Sequence, residues 1–330
     1  MRFDVVGLGM NCVDFLLRLP DIDSPVGERP ILEWSTQGGG KVATAMAAVG
    51  RLGAKVAVIT KVGNDEWGKF VIADFQKYGV DTSHVFFDES LRTLVVFILV
   101  DKHGGHQWVS VDAIRDWNLP ESVRRAVREV GARREVRPSI WEDRIPYSPE
   151  QLDIVTEGRM LNLDGSPPDV ALEAARTANG KGIQTCYDMY RHPNMPELLK
   201  NITYCIPSRR SAVEFTKETD PIAICRKLLS YGPEVAGVTL GDEGCIFATR
   251  NELIVRKAFR IQEMVDTLGA GDVFHGAFSF AVVQGWDLAR VVEFASAVAA
   301  LKCRKLGGRV GMPTMSEAEA FLREHVEEIR

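Results

Sequence analysis

What most limits the folds open to this chain is an alternation. Short apolar stretches are followed repeatedly by segments of helical pattern. Residues 3–8 read as a buried strand ending in glycines, and 54–60 as a second strand, followed by a turn that opens a helix running through Tyr78. From Pro149 the order returns, with a strand at 160–165, a helix near 169–180, a strand at 183–188 and further strands at 204–207 and 235–240. Strands alternating with helices make a parallel sheet covered by helices. Such sheets hold ligands beyond the C-terminal ends of their strands, and Asp188 closes one of these strands. A second group of segments lacks the helices. Residues 28–36 read as a strand broken by Gln37-Gly38-Gly39-Gly40, and 93–100 with 107–111 as a hairpin around Asp101-Lys102-His103-Gly104-Gly105.

The 330 residues allow one large α/β domain with an appendage, or two domains. A net charge of −5 argues against non-specific binding to nucleic acid. The six cysteines (Cys12, Cys186, Cys205, Cys225, Cys245, Cys303) are scattered, which points to buried reduced thiols rather than a disulfide or metal framework. Met1-Arg2-Phe3-Asp4 runs straight into the first strand with no leader pattern, and apolar runs such as 94–100 are too short to span a bilayer. The expectation is a cytoplasmic enzyme with neither a nucleic-acid nor a membrane partner.

The stretch richest in chemistry is Val265-Asp266-Thr267-Leu268-Gly269-Ala270-Gly271-Asp272, followed by an apolar run of helical character. It reads as a loop entering a helix N-terminus. Glycines let the backbone approach a ligand closely. Free N–H groups of a first helical turn, with the helix dipole, attract an anion. Asp272 falls within that turn. A carboxylate beside an anion site suits a base for the hydroxyl that attacks the anion, which is the layout of phosphoryl transfer. Simple helix capping is the alternative.

Asp266-Thr267-x-Gly269-Ala270-Gly271-Asp272-x-Phe274-x-Gly276 resembles the C-terminal signature of the ribokinase-like (PfkB) carbohydrate kinases. The glycine turn entering an alanine-rich helix over 41–52, and the run Val62-Gly63-x-Asp65-x-x-Gly68, resemble other family segments. Together with 294–303 and 307–313, the signature is similar to the sulfofructose/ketose kinase branch. The resemblance implies an α/β fold: a ribokinase-like three-layer α/β/α core with a mostly parallel central sheet (1–11, 37–92 and 112–330), and a small β-sheet lid over the sugar (12–36 and 93–111). It implies an ATP-dependent kinase acting on a primary hydroxyl of a ketose, hexose or pentose, with Mg2+ and, in many members, K+.

The resemblance also assigns roles. Asp272 would be the general base, and the N–H groups of Gly269, Ala270 and Gly271 the anion hole. Gly9-x-x-x-x-Asp14 matches the spacing of the family's sugar-binding aspartate; a carboxylate accepts from two neighbouring hydroxyls. Gly39, Gly40, Lys41 and Thr44 would complete the sugar side, with Lys41 able to reach phosphate or to remain a solvated helix-start charge. Thr239, Gly241 and Gly244 would form the nucleotide turn, or a simple hairpin turn, with Ser296 near the adenine. Asp266 matches a ligand of a monovalent cation, and Asp188 would support Mg2+ through water or cap its loop. The lid sheet leaves an apolar face exposed unless paired, which implies a homodimer through the lid.

Some positions depart from the family. Cys12 and Thr44 stand where relatives carry Asn, and Ser208 and Ser211, with Arg209 and Arg210 between, stand where an Asn-x-x-Glu motif near Mg2+ is usual. Gly38-Gly39-Gly40-Lys41 is not a P-loop, because Ser35 replaces the first glycine and Val42 follows the lysine. Glu28 occupies the lid position where a lysine for a sulfonate would be sought. The arginine-rich segment 113–144 matches no family motif and reads as a solvated mixed-charge helix, or as a basic loop towards ATP or an acidic sugar. Two other functions stay open: a nucleoside kinase of the same fold, and a sugar-binding member without catalysis.

Overall fold

The computed structural model describes residues 1–22, 30–102, 104–110, 147–190 and 192–329. Glu28 and the segment 113–144 lie outside the described residues. The strands are β1 (Phe3–Leu8), β2 (Cys12–Arg18), β3 (Glu33–Gly39), β4 (Val56–Gly63), β5 (Val80–Asp81), β6 (Val85–Asp88), β7 (Val95–Val100), β8 (His106–Ser110), β9 (Gly158–Leu163), β10 (Gln184–Tyr187), β11 (Tyr204–Cys205), β12 (Val235–Thr239), β13 (Cys245–Ala248) and β14 (Leu253–Arg256). The helices used below are α1 (Lys41–Arg51), α2 (Glu66–Lys77), α3 (Pro168–Gly180), α4 (Met195–Leu199), α5 (Arg209–Thr216), α6 (Pro221–Ser230), α7 (Ala270–Val283), α8 (Leu288–Lys302) and α9 (Met315–His325).

The main sheet runs β14-β13-β12-β11-β10-β9-β1-β4-β5, with β6 paired to β4. Every pairing from β5 to β12 is parallel, and the β12-β13-β14 edge is antiparallel. Both faces are covered, so the central strands are apolar throughout. Alternation then sorts them: Val5 and Val58 enter the core under α1, α7 and α8, while Val6, Ala57 and Ile59 enter the core under α3 and α6. The parallel sheet expected from the alternation, and the three-layer α/β/α arrangement implied by the family resemblance, are what the chain adopts.

The run Val42 to Val49 of α1 is wholly buried. A side chain at Gly276 of α7 would lie 2.2 Å from the Ala45 carbonyl, so the two helices touch backbone to backbone. The alanines of α1 therefore serve close packing, and only its first residues face the C-terminal edge of the sheet.

A second, smaller sheet has the order β3-β2-β7-β8. Its β2–β3 and β7–β8 pairs are antiparallel and β2–β7 is parallel. One face, carrying Cys12, Leu16, Val96 and Ile98, packs on Leu306, Val265 and Leu268. The strand read at 28–36 corrects to β3, which runs on through the glycines: Gly38 and Gly39 pair with Val13 and Cys12. Glycine there does not break the strand; it lets the strand pass close to Arg309 and to Asp14, and the break falls at Gly40, with φ 91°. The short strands β5, β6 and β13 carry no clear signature in the sequence.

Candidate active site

Four carboxylates and one lysine gather beyond the C-terminal ends of β1, β9 and β10. Asp164, just after β9, accepts from the N–H groups of Met10 and Ser166, each at 3.0 Å. Gly9 leaves it room, because a side chain at Gly9 would sit 2.7 Å from that carboxylate. Asp188, after β10, receives the Lys41 ammonium on both oxygens at 2.9 and 3.0 Å. Lys41 opens α1 and is therefore not a free solvated charge. Asp272 and His275 lie one turn apart on α7, and His275 Nε2 is 3.7 Å from Asp188. Asp14 projects from β2 and is buried, accepting from the Cys12 thiol at 3.1 Å.

This crowding sets the protonation. Burial pushes the Asp272 carboxyl up to about 7, and Asp188, Asp14 and Asp164 push the same way against the pull of Lys41. Burial raises Asp14 and Asp164 to about 6 each. Asp188 is buried too, yet Lys41 and then His275 hold it below the usual carboxylate range. Burial acts to lower Lys41, but Asp188 and Asp272 push it up, so it stays charged. Burial pushes His275 down, which keeps the imidazole neutral at pH 7. Asp272, Asp14 and Asp164 are thus all raised towards neutrality, where a general base exchanges its proton.

The loop before α7 departs from expectation at Ala270. Gly269 caps the helix in the left-handed region, φ 71°, with no side-chain cap. A Cβ at Gly269 would fall 2.8 Å from Gly308 Cα, whereas one at Gly271 would meet open space. Ala270, expected among the donors, is not available: its N–H already donates to the Thr267 carbonyl at 3.1 Å. The first-turn N–H groups of Gly271 and Asp272 have no acceptor among the described residues.

Asp266 does not fit the role of cation ligand. It is fully buried, and its carboxylate already receives His106 Nε2 at 2.6 Å, the Leu268 N–H at 2.8 Å and the Gly307 N–H at 2.7 Å. For Mg2+, Asp188 is spoken for by Lys41, and no group of three or more His, Cys, Asp or Glu suited to a metal occurs among the described residues.

On the other side of the cluster, Gly39 faces Asp14 so closely that a side chain would lie 2.1 Å from its carboxylate. Gly40 has no room either, with Met10 O at 2.4 Å from a Cβ. Thr44 is buried, and its hydroxyl accepts from Arg309 Nε at 3.4 Å. Arg309 was not singled out in the sequence. It is a fully buried guanidinium that also reaches the Gly39 carbonyl at 3.1 Å, pairs with Asp74 of α2, and lies over the Phe75 ring. Gln37 joins it, donating to Leu306 O at 2.9 Å and accepting from the Arg309 N–H at 3.0 Å. The end of β3 is thereby tied to the loop that also touches Gly269 and Asp266.

Thr239, Gly241, Gly244 and Ser296 lie on the antiparallel side of the sheet. Thr239 ends β12, and Gly244 closes the β12–β13 hairpin. At Gly244 a side chain would strike the Arg256 carbonyl at 2.0 Å with φ 103°, so the turn itself demands glycine. A Cβ at Gly241 would meet open space. The Ser296 hydroxyl donates to Val292 O within its own helix at 2.8 Å. Ser208 caps α5, and Arg209 clasps Glu243 beside Gly241 at 2.6 and 2.8 Å. A surface cavity of about 550 Å³ lies elsewhere, lined by Arg256, Trp286, Glu293 and Arg323 among others, and holds none of these residues.

Asp164 and His275 are the cluster members that the sequence reading passed over. The rule that singled out Asp188, an acid just past a parallel strand, applies equally to Asp164. His275 could have been found from its spacing of three from Asp272 on one helix face.

The fold and the comparisons that follow define a phosphotransferase acting on a sugar hydroxyl. A family model for the pfkB family carbohydrate kinases matches residues 4–133 and 139–315, and the chain belongs to that family. It is a sugar kinase of the ribokinase family. It is 27% identical to the 5-dehydro-2-deoxygluconokinase of Clostridium perfringens, covering 99% of this chain and 95% of that one. It is also 27% identical to a ribokinase of Staphylococcus aureus over 96% and 99% of the two chains. In fold it is similar to the Arabidopsis thaliana ribokinase solved with ribose and ATP, with a TM-score of 0.78 at 21% identity over 98% and 99% of the chains.

Proposed function

We propose that the chain transfers the γ-phosphate of ATP to a primary hydroxyl of a sugar, with Asp272 as the general base. The observation that carries this reading is Asp272 set among crowded carboxylates in the same helical turn as two open N–H groups. The sugar lies between the smaller sheet, acting as a lid, and the cluster, with Asp14 accepting from its hydroxyls. Asp272 takes the proton of the attacking hydroxyl. The N–H groups of Gly271 and Asp272, with the α7 dipole, hold the charge that develops on the transferred phosphoryl group. Lys41 neutralises Asp188 and lies within reach of the same phosphate. Gly241 leaves space for the nucleotide beside β12, and Ser296 marks the adenine side.

Four carboxylates against one ammonium repel a bare triphosphate, so the nucleotide must arrive with a divalent ion. Mg2+ keeps most of its waters and needs few protein ligands. Asp188 can serve it only by releasing Lys41. When bound, the ion supplies charge neutralisation on the phosphates.

One face of the lid carries Phe15, Leu17, Trp34, Phe97 and Leu99 in register; Phe15 packs on Trp67 of α2, and Trp34 and Phe97 stay exposed. Trp34 is 69% exposed. A second copy of the chain covering this apolar face is the proposed dimer.

ADP release at fixed ATP, measured against a panel of ketoses, aldoses, sugar acids and nucleosides, tests the reading. Turnover on a sugar and not on nucleosides supports it. Turnover on nucleosides alone makes it a nucleoside kinase, and saturable sugar binding without turnover makes it a binding member.

A further inference from the structure

The disagreement at Asp266 has a cause inside the chain. Lys302, the last residue of α8, is fully buried, and its ammonium donates to the main-chain carbonyl of Asp266 at 2.8 Å. The main-chain N–H groups of Val265 and Asp266 donate to Cys303 O at 2.8 and 3.1 Å. The loop is thus held from three sides: by the end of α8, by Gly307, and by His106 from the smaller sheet. Here both carboxylate oxygens and the carbonyl already accept hydrogens, and an added ion would face an ammonium beside the same carbonyl.

A buried ammonium is costly unless an opposite charge answers it. Burial pushes the Lys302 ammonium down from its ordinary value, and Cys303, Asp266 and Asp272 pull the other way. A covalently attached positive charge therefore already lies against Asp266. We propose that the Lys302 ammonium is a resident cation that replaces an exchangeable monovalent ion, holding the 265–269 loop so that the first-turn N–H groups of α7 face the phosphate. Lys302 is a positioning residue in this account; it acts through the loop and does not touch substrate. The inference rests on α7 being the phosphate site.

The test compares the wild-type protein with Lys302→Met in KCl and in tetramethylammonium chloride at equal ionic strength. Wild-type turnover is expected to differ by less than twofold between the salts. Lys302→Met is expected to lose on the order of 100-fold in tetramethylammonium, and to regain at least tenfold in KCl, RbCl or NH4Cl, whose cations fit the vacated place. Its melting temperature should rise in KCl relative to tetramethylammonium, with no such rise in the wild type. Three results would overturn the proposal: a wild type that requires K+, a Lys302→Met variant fully active without it, or a folded variant that no small cation rescues. Should Lys302→Met fail to fold in any salt, the wild-type comparison alone decides. The melting arm needs no turnover. A protein inactive on every acceptor, whose variant is still stabilised by K+, would sink the kinase reading and leave this one standing.

Discussion

Replacing Asp272 with Asn separates catalysis from stability, because the two respond in opposite directions. The folded protein holds the Asp272 proton up to about pH 7, against 3.8 in an unconstrained chain. The folded-state pKa lies above the unfolded one, so the folded state binds the proton more tightly. Stability from that proton is present below pH 3.8 and is lost as pH rises to about 7. Above that, the ionised carboxylate is a burden. Converted directly, the difference is about 4 kcal/mol. Asp272 is half-buried, so water screens part of this and roughly 2 kcal/mol is expected at pH 8. Asn removes the charge without changing the shape. Asp272→Asn should therefore melt about 3 °C higher than the wild type at pH 8. The gap should shrink by more than half at pH 5, as the wild-type carboxyl gains its proton. Turnover should fall roughly 10²–10⁴-fold, the usual worth of a general base. In the wild type, kcat/KM should fall about tenfold per pH unit below 7, a limb the variant lacks. Thermal melts across pH and a coupled ADP-release assay measure all of this. Near-wild-type turnover, or a variant less stable than the wild type at pH 8, would refute the argument from crowded carboxylates.

Three further outcomes follow from contacts around the site. Gly39→Ala drives a methyl into the Asp14 carboxylate, so the KM for sugar should rise at least about tenfold while that for ATP holds; an unchanged sugar KM removes Asp14 from the sugar site. Arg309→Met leaves Asp74 without its buried partner and should destabilise the fold by about 3–5 kcal/mol, seen as a lower denaturation midpoint; a shift under about 1 kcal/mol would make the guanidinium incidental. A Trp34→Glu, Phe97→Glu double variant should sediment as a monomer at concentrations where the wild type is a dimer, and a wild type that is itself monomeric rejects the lid interface.

The alternation of apolar strand and helical segment was enough to give a parallel sheet with helices on both faces, because periodicity is a local property of the chain. The loop entering α7 was legible for the same reason: glycines, a helix start and an acid follow one another directly in sequence. Asp188 and Asp272 could each be picked out singly by position, one past a strand end and the other inside a helix start, and Asp14 by its spacing from Gly9 in the family pattern. What remained hidden was how they bear on one another. That Asp188 is bound by Lys41 across 147 residues, that Arg309 ties Gly39 to Asp74, and that Lys302 fills the place beside Asp266 are distant pairings. The main sheet, and three of the four acids taken singly, were determined by the sequence alone. Which acid keeps its proton near pH 7, which loses it to a lysine, and which carboxylate is closed to an ion were decided only by tertiary structure, because a charge answers to its neighbours in space and those neighbours come from all along the chain.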